Sequence, residues 1–407
     1  MRVLILSQYY APEPVPKPAE LAEHLSSRGH AVRVLTGFPN YPEGRLYAGY
    51  RPALWRRERL RGVEVLRTFE FPYHGPLKLG RVLNYASFMV SAVAAGASLP
   101  AVDVIYVYHP PLTTGLAARA LSRLKRAPFV YDVQDIWPEG AVASGFLREG
   151  RLTRALSRVE RLVYRGAGHL LTVSEGARAN LVSKGVPVER VSVMPHWVDE
   201  RAFGAGDAAG QEARRRLGWA DDFVLLFAGN LGLVQGLDTA ILAMERFRLD
   251  EKVRLVLVGG GADREHLVAL AEARRLGRRV QFVERLPQAE MPPLLAAADA
   301  LLVHLKRSPF ASLSLPTKTL AYLAAGRPIV MAVEGAAAEL LEQTGAGVLA
   351  RPEDPDDLAA AVRRLQALSG AERRALGARG QRYVRANLSR GHVLARYEAL
   401  LERVAGC

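Results

Sequence analysis

Short β-branched runs and longer amphipathic stretches alternate along almost the whole 407-residue chain. In the first half, strands are predicted at 3–7, 31–36, 63–67, 104–107, 129–133, 169–173 and 191–194. Several of these runs are continuously apolar, the pattern of parallel strands covered on both faces. Helical periodicity fills the gaps, as at 17–28, 113–125, 152–164 and 175–183. Strand and helix in alternation imply a doubly wound parallel α/β sheet. The rhythm pauses at 197–220, where Asp, Gly and Ala cluster around a short Arg-rich helix, and a linker is placed there. It restarts with strands at 223–227, 253–258, 280–283, 300–303, 328–331 and 347–349, and from 355 to 404 only helical signals remain. Two domains are expected, 1–200 and 201–387, with a C-terminal helix at about 388–407 packing back onto the first. The chain is long enough for each domain to have its own core.

Two stretches interrupt this reading. Residues 82–102 carry no formal charge. A run of about 20 apolar residues can span a bilayer, but Asn84, Tyr85, Ser87, Ser91, Gly96, Ser98 and Pro100 make this a poor span. A membrane-grazing helix or a core helix is expected instead. Residues 51–67, RPALWRRERLRGVEVLR, mix Trp55 and leucines with many arginines. They form either a surface for anionic lipid headgroups or a solvated basic loop.

Charge sharpens the question of partners. The net charge is +14, and of the 55 basic residues only seven are lysine. This balance favours phosphates, nucleic acid or acidic lipid, although a general arginine bias gives the same count. No block of five or six like charges occurs, so a nucleic-acid tail is not expected. The single cysteine, Cys407, excludes an internal disulfide framework and any cysteine-built metal site, and points to a reducing compartment. The opening MRVLILSQYY is too short an apolar run for a signal peptide and reads as a buried first strand.

Candidate chemistry falls in loops that follow strands, where open α/β sheets bind ligands. The first loop, SQYYAPEPVPKPAE, has no G-x-G-x-x-G, which argues against a nicotinamide dehydrogenase. It offers Lys17 near the start of the next helix. In VYHPPLTTG, His109 follows a strand and can hydrogen-bond a ligand, move a proton near neutral pH, or serve only structure. In YDVQDIWPEGA, Asp135 and Glu139 flank Trp137. This arrangement suits sugar hydroxyls and a sugar ring, and equally suits carboxylates at a helix start. The turn FAGNLGLVQGL carries Gly229, Gly232 and Gly236 ahead of a helix, a phosphate-binding shape that is weak evidence alone, as are Gly259–Gly261. Finally, Pro316-Thr317-Lys318 opens a helix, with Thr317 as the expected N-cap. Lys318 in a first turn opposes the helix dipole, which implies an anionic ligand that compensates. The pair Asp354/Asp356 reads as a turn and helix cap, and the nine histidines show no zinc-site spacing.

These motifs, with GFPNYP, LNYASF, DIWPE, LTVSEGARANLVSKGV and LPTKTLAYLAAGRPI, make the chain resemble family 4 glycosyltransferases of the GT-B fold over nearly its whole length. More narrowly, it looks like the subgroup of O-antigen, capsule and colanic-acid biosynthesis. The resemblance implies two Rossmann-like doubly wound domains facing a central cleft. The C-terminal domain would bind a nucleotide-sugar donor, UDP-linked by preference and carrying an N-acetylamino or deoxy sugar. The N-terminal domain would bind an acceptor such as a polyprenyl-diphosphate-linked saccharide. It further implies retention of anomeric configuration, no metal or other cofactor, and a cytoplasmic protein peripheral to the inner face of the membrane, against an anionic membrane surface.

Carried over residue by residue, His109 falls near the reacting sugar, Gly229 and Gly232 in the diphosphate loop, Arg285 and Leu286 in the base-holding loop, and Glu339 after the sugar-binding loop. The chain departs from the family pattern in several places. Asn230 and Gln235 stand where many members have Arg and Lys. Leu313 and Ala321 stand where many have glutamates, the second of which holds the ribose. Lys318 is the expected substitute for the missing charge, with Lys306, Arg307 and Arg285 as further candidates and Lys17 as a phosphate contact from the other domain. Two rival readings remain: a non-catalytic nucleotide-sugar-binding scaffold, favoured by Leu313 and Ala321, and a UDP-sugar 2-epimerase of the same fold, against which DIWPE and GFPNYP weigh.

Overall fold

The structure, a computed structural model, describes residues 1–75, 77–143, 147–203, 206–219, 222–308 and 315–406. The chain divides into two compact units, Met1–Met194 with Leu394–Cys407, and Pro195–Val393.

The first unit contains β1 (Arg2–Leu6), α1 (Pro16–Ser27), β2 (Ala31–Gly37), β3 (Trp55–Leu60), β4 (Val63–Thr68), α2 (Lys78–Ala97), β5 (Val104–Tyr108), α3 (Leu112–Lys125), β6 (Phe129–Val133), α4 (Glu139–Ala143), α5 (Arg151–Gly166), β7 (His169–Thr172), α6 (Glu175–Ser183) and β8 (Val191–Val193). Its sheet runs β3-β4-β2-β1-β5-β6-β7-β8, and β1 pairs in parallel with β2 on one side and β5 on the other. The chain thus winds outward from β1 in both directions. The switch point lies where β1 and β5 end, the place where such sheets open a crevice. Strands β1, β5 and β6 are almost wholly buried and pack Leu4, Ile105, Phe129 and Tyr131 against Phe88 of α2 and Leu121 of α3. Helix starts follow local rules: α6 is capped by Ser174, whose hydroxyl accepts the Ala177 N–H at 3.1 Å.

The second unit contains α7 (Gly206–Arg216), β9 (Phe223–Ala228), α8 (Asp238–Ala243), β10 (Val253–Val258), α9 (Arg264–Ala273), β11 (Val280–Val283), α10 (Met291–Ala297), β12 (Ala300–His304), α11 (Thr317–Ala325), β13 (Ile329–Ala332), α12 (Ala336–Thr344), β14 (Gly347–Leu349), α13 (Pro355–Gln366) and α14 (Gly370–Tyr383); α15 (Arg390–Ala405) ends the chain. The all-parallel order β11-β10-β9-β12-β13-β14 places a second switch point between β9 and β12. Apolar side chains cover both faces of this sheet, Leu226, Val256 and Leu301 toward one and Leu225, Leu255 and Leu302 toward the other.

One strand departs from the sequence reading. Residues Trp55–Leu60 form β3, an antiparallel edge partner of β4. Its sequence WRRERL lacks alternating apolar positions because it is exposed along most of its length. The charge-free stretch belongs to α2, and no helix among the described residues is long and apolar enough to cross a membrane.

Candidate active site

In the first unit, the loops beyond β1, β2, β4, β5 and β6 carry a buried polar layer. Asp132, in β6, is its hub. Its Oδ2 lies 3.0 Å from Lys17 Nζ and accepts the Tyr106 hydroxyl at 2.5 Å and the Tyr397 hydroxyl at 3.1 Å. Its Oδ1 accepts Gln134 Nε2 at 2.5 Å. Lys17 was expected to reach a phosphate. The structure corrects this: its ammonium is buried against Asp132, and burial lowers its pKa while Asp132 opposes the shift. Tyr397 joins the same carboxylate, so Asp132 binds α1 and α15 to the sheet.

His109 directly follows β5 and is buried, its backbone N–H bonded to the Asp132 carbonyl at 3.1 Å. Its Nδ1 has no hydrogen-bond partner among the described residues. Burial pushes its pKa down to about 3, against the raising effect of Asp132. The imidazole is therefore neutral across the physiological range. In this form the ring can hydrogen-bond a ligand through Nδ1. Asp135 and Glu139 separate in character. Glu139 starts α4 and pairs with Lys184 at 2.9 Å, and Lys184 also holds the buried Glu160 at 2.9 Å. Its carboxylate is thus engaged in a structural cluster rather than free for a sugar. Trp137 belongs to that cluster through its carbonyl, 3.3 Å from Lys184 Nζ. Asp135 is exposed and has no ion pair among the described residues, yet neighbouring protein raises its carboxyl pKa by desolvation.

Two further groups carry chemistry that the sequence did not reveal. Glu13 accepts the backbone N–H groups of Tyr10, Asn40 and Tyr41 at 3.0, 2.8 and 2.8 Å. It thereby ties the APEP loop to the GFPNYP loop. Beside it, Glu70 accepts Asn40 Nδ2, and burial followed by the charge of Glu13 raises its pKa well above the carboxylate range.

In the second unit, Lys318 lies in the first turn of α11, at the β9/β12 switch point. Its Nζ donates to Gln235 Oε1 at 2.6 Å and sits 3.7 Å from the centre of the Phe227 ring. No carboxylate pairs with it among the described residues, and burial lowers its pKa to about 7. Thr317 is not the cap: Pro316 occupies that position without a side-chain bond, and Thr317 is the first, exposed helical residue. Tyr322 fixes α11 to the end of β9, its hydroxyl accepting the Ala228 N–H at 2.7 Å.

The Gly229–Gly236 turn faces Lys318. Its amides do not all point to a ligand: Gly229 donates to Val258 O at 3.0 Å and Leu231 to Gly260 O at 2.9 Å. The amides of Asn230, Gly232, Leu233 and Val234 have no acceptor among the described residues and are the free donors of the turn. Gly259 has φ +136°, and a Cβ there would overlap the Gly229 carbonyl oxygen, so this glycine lets the two loops pack backbone to backbone. His304, at the end of β12, holds the turn from below. Its Nδ1 meets the Gln235 carbonyl at 2.6 Å, and its Nε2 accepts the Glu353 N–H at 3.4 Å. The carbonyl can only accept, so the proton resides on Nδ1 and the ring is neutral, in keeping with a pKa lowered by burial.

The remaining candidates are dispersed. Arg285 is exposed and Leu286 packs on the core, both in the loop after β11. Glu339 is exposed in the first turn of α12. Lys306 is half-buried, its backbone N–H bonded to Val234 O at 3.0 Å. Arg307, considered as a substitute cation, is exposed and pairs with Glu334 at 3.2 Å. Ala321 packs against the core, and Leu313 lies outside the described residues.

Two family models cover the two halves. The glycosyl transferase 4-like domain matches residues 16–197, and glycosyl transferases group 1 matches residues 210–383. WcaI of Escherichia coli K12, named for a role as a colanic acid biosynthesis glycosyl transferase, is 30% identical over 379 residues, spanning 89% of this chain and 91% of that protein.

The chain belongs to the family 4 glycosyltransferases.

This glycosyltransferase shares the GT-B fold with Anabaena HepE, solved in complex with UDP, at a TM-score of 0.75 and 18% identity over 99% of this chain and 100% of HepE. It is also similar to WaaG, a glycosyltransferase involved in lipopolysaccharide biosynthesis, at a TM-score of 0.67 and 18% identity over all of both chains. In this glycosyltransferase Lys318 lies against Gln235, in the Gly229–Gly236 turn.

Proposed function

We propose that this glycosyltransferase moves a sugar, with retention, from a UDP-sugar to a polyprenyl-diphosphate-linked saccharide in cell-surface polysaccharide synthesis at the inner face of the membrane. The observation that carries the donor half is Lys318: a desolvated cation at a helix N-terminus, without a carboxylate partner, beside a turn with free amides. A diphosphate satisfies the cation, the dipole and the amides together. As the acceptor hydroxyl attacks the anomeric carbon, negative charge grows on the leaving diphosphate oxygen, and Lys318 with the Asn230 and Gly232 amides stabilises it. These groups supply the positive charge, so the reaction needs no metal. His109 in its neutral form hydrogen-bonds the donor sugar or the acceptor through Nδ1, and Asp135 is the free carboxylate on the acceptor side. Arg285 and Leu286 border the base, and Glu339 and Thr317 contact the donor.

The similarity to WcaI, a colanic-acid enzyme by name, and to HepE, solved with UDP, supports this choice of donor and pathway class. The test is incubation with a panel of UDP-sugars and GDP-sugars and a lipid-linked saccharide, following nucleoside diphosphate release and the anomeric configuration of the product. UDP release with an α-linked product from an α-linked donor is expected. Nucleotide binding without release under any pairing would instead favour the scaffold reading, for which Ala321 in place of a ribose-holding glutamate is the specific observation.

A further inference from the structure

His304 is the last residue of β12, a strand otherwise built of Ala, Leu and Val, and it is fully buried. A buried imidazole is costly unless its nitrogens find partners. Both nitrogens do so here, and both partners are main-chain groups of loops rather than of the sheet. Nδ1 donates to the Gln235 carbonyl at 2.6 Å, and Nε2 accepts the Glu353 N–H at 3.4 Å. The ring also fills the space beside Gly236, which has φ +59°: a Cβ there would stand 2.9 Å from the ring Cε1 and 3.1 Å from Nδ1. Two residues further on, the Lys306 N–H bonds the Val234 carbonyl at 3.0 Å. The end of β12 therefore grips Val234, Gln235 and Gly236 of the turn.

Glu353 backs this grip from the other side. Its φ of +58° is one that residues with a side chain seldom adopt. Such a backbone persists where the surrounding contacts over-determine it. Here the carboxylate of Glu353 accepts the Arg307 N–H at 2.9 Å, in the segment that follows His304.

Gln235 links this support to the chemistry. His304 fixes its main-chain carbonyl, and its side-chain Oε1 receives Lys318 Nζ at 2.6 Å. A preorganised charge acts only as far as it is held in place, and a misplacement of about 1 Å can cost about 10²-fold in rate.

We propose that His304 is a positioning residue of the donor site: its Nδ1–H fixes Gln235, and Gln235 aims the Lys318 ammonium at the donor diphosphate. The proposal rests on the reading of Lys318 given above. In this role the imidazole touches neither substrate and moves no proton.

The experiment is titration of UDP into the full-length native protein and into H304N, H304Q, Q235A, K318A and H304Q/K318A. Asparagine carries its amide nitrogen close to where Nδ1 stands, whereas glutamine reaches toward the Nε2 position and leaves the Gln235 carbonyl without a donor. H304Q is expected to lose most of the UDP affinity that K318A loses, and H304N to bind UDP at least about threefold more tightly than H304Q. Residues that act through one contact are not additive, so H304Q/K318A should bind no more than about twofold more weakly than K318A. Native affinity in H304Q, equal losses in H304N and H304Q, or a full further loss in the double variant overturns the proposal. Unfolding midpoints without ligand show which variants are folded. Should H304Q not fold, Q235A, at a half-buried position on the turn, decides: it should show a loss like that of K318A, and native affinity in Q235A overturns the proposal. Native affinity in K318A would instead remove the diphosphate reading, and the proposal with it.

Discussion

Lys318 Nζ lies 2.6 Å from Gln235 Oε1, a neutral partner where most buried ammonium groups have a carboxylate. When protonated, a cation held in this way has no carboxylate partner to neutralise it and is open to an anion. Removing one preorganised electrostatic donor typically costs on the order of 10²–10³ in turnover. Lys318→Ala should therefore lower kcat by about that factor while leaving the unfolding midpoint without ligand near that of the native protein. Steady-state rates of UDP release from the two proteins check this. Near-native turnover in the variant would remove Lys318 from the mechanism.

The same lysine predicts a proton linkage. Its pKa is lowered to about 7, with burial as the cause. Below that pH the free site is already charged; above it the free site is mostly neutral, whereas a bound diphosphate favours the ammonium. UDP binding should take up close to no proton at pH 6 and approach one at pH 8, and affinity should weaken as pH rises through about 7. Calorimetric titration in buffers of different ionisation enthalpy measures the uptake. Equal uptake at both pH values contradicts the assignment.

Asp132 holds Lys17, Tyr106, Tyr397 and Gln134 together. Leaving a buried partner uncompensated costs about 3–5 kcal/mol. Asp132→Ala should lower stability by about that amount, whereas Tyr397→Phe, which removes one neutral donor, should cost about 1 kcal/mol. Denaturant unfolding of the two variants checks the ordering; a larger loss in Tyr397→Phe would show that Asp132 is not the hub.

Gly259→Ala places a methyl group against the Gly229 carbonyl at a positive φ. Overpacking of this kind costs about 1–3 kcal/mol, and the displaced atoms belong to the proposed diphosphate turn. UDP affinity should fall more than tenfold, whereas Gly260→Ala, with open space around its Cβ position, should leave affinity within about twofold. Similar affinities in both variants would separate the turn from the nucleotide.

Much of the fold was legible because parallel strands buried on both faces read as continuous apolar runs, as in Phe129–Val133 and Val253–Val258. Strand Trp55–Leu60 was not legible, since an exposed edge strand rich in arginine has no apolar alternation. In the site, Lys318 could be picked out because a cation in a first helical turn violates a local rule. The partners of Lys17, Glu139 and Arg307 could not: Asp132, Lys184 and Glu334 approach them only through the packed fold. Asn40, Glu13 and Glu70 likewise converge because β1, β2 and β4 lie side by side, and His304 reaches Gln235 because β9 and β12 are neighbours.

The central claim is that the Lys318 and Gly229–Gly236 region binds the diphosphate of a uridine nucleotide. Titration of UDP into the native protein and into Lys318→Ala, with GDP as the comparison, tests it most directly. The account predicts that UDP binds the native protein, that GDP binds at least tenfold more weakly, and that the variant loses tenfold or more in UDP affinity. Equal UDP affinity in the two proteins, or tighter binding of GDP than UDP, would contradict it.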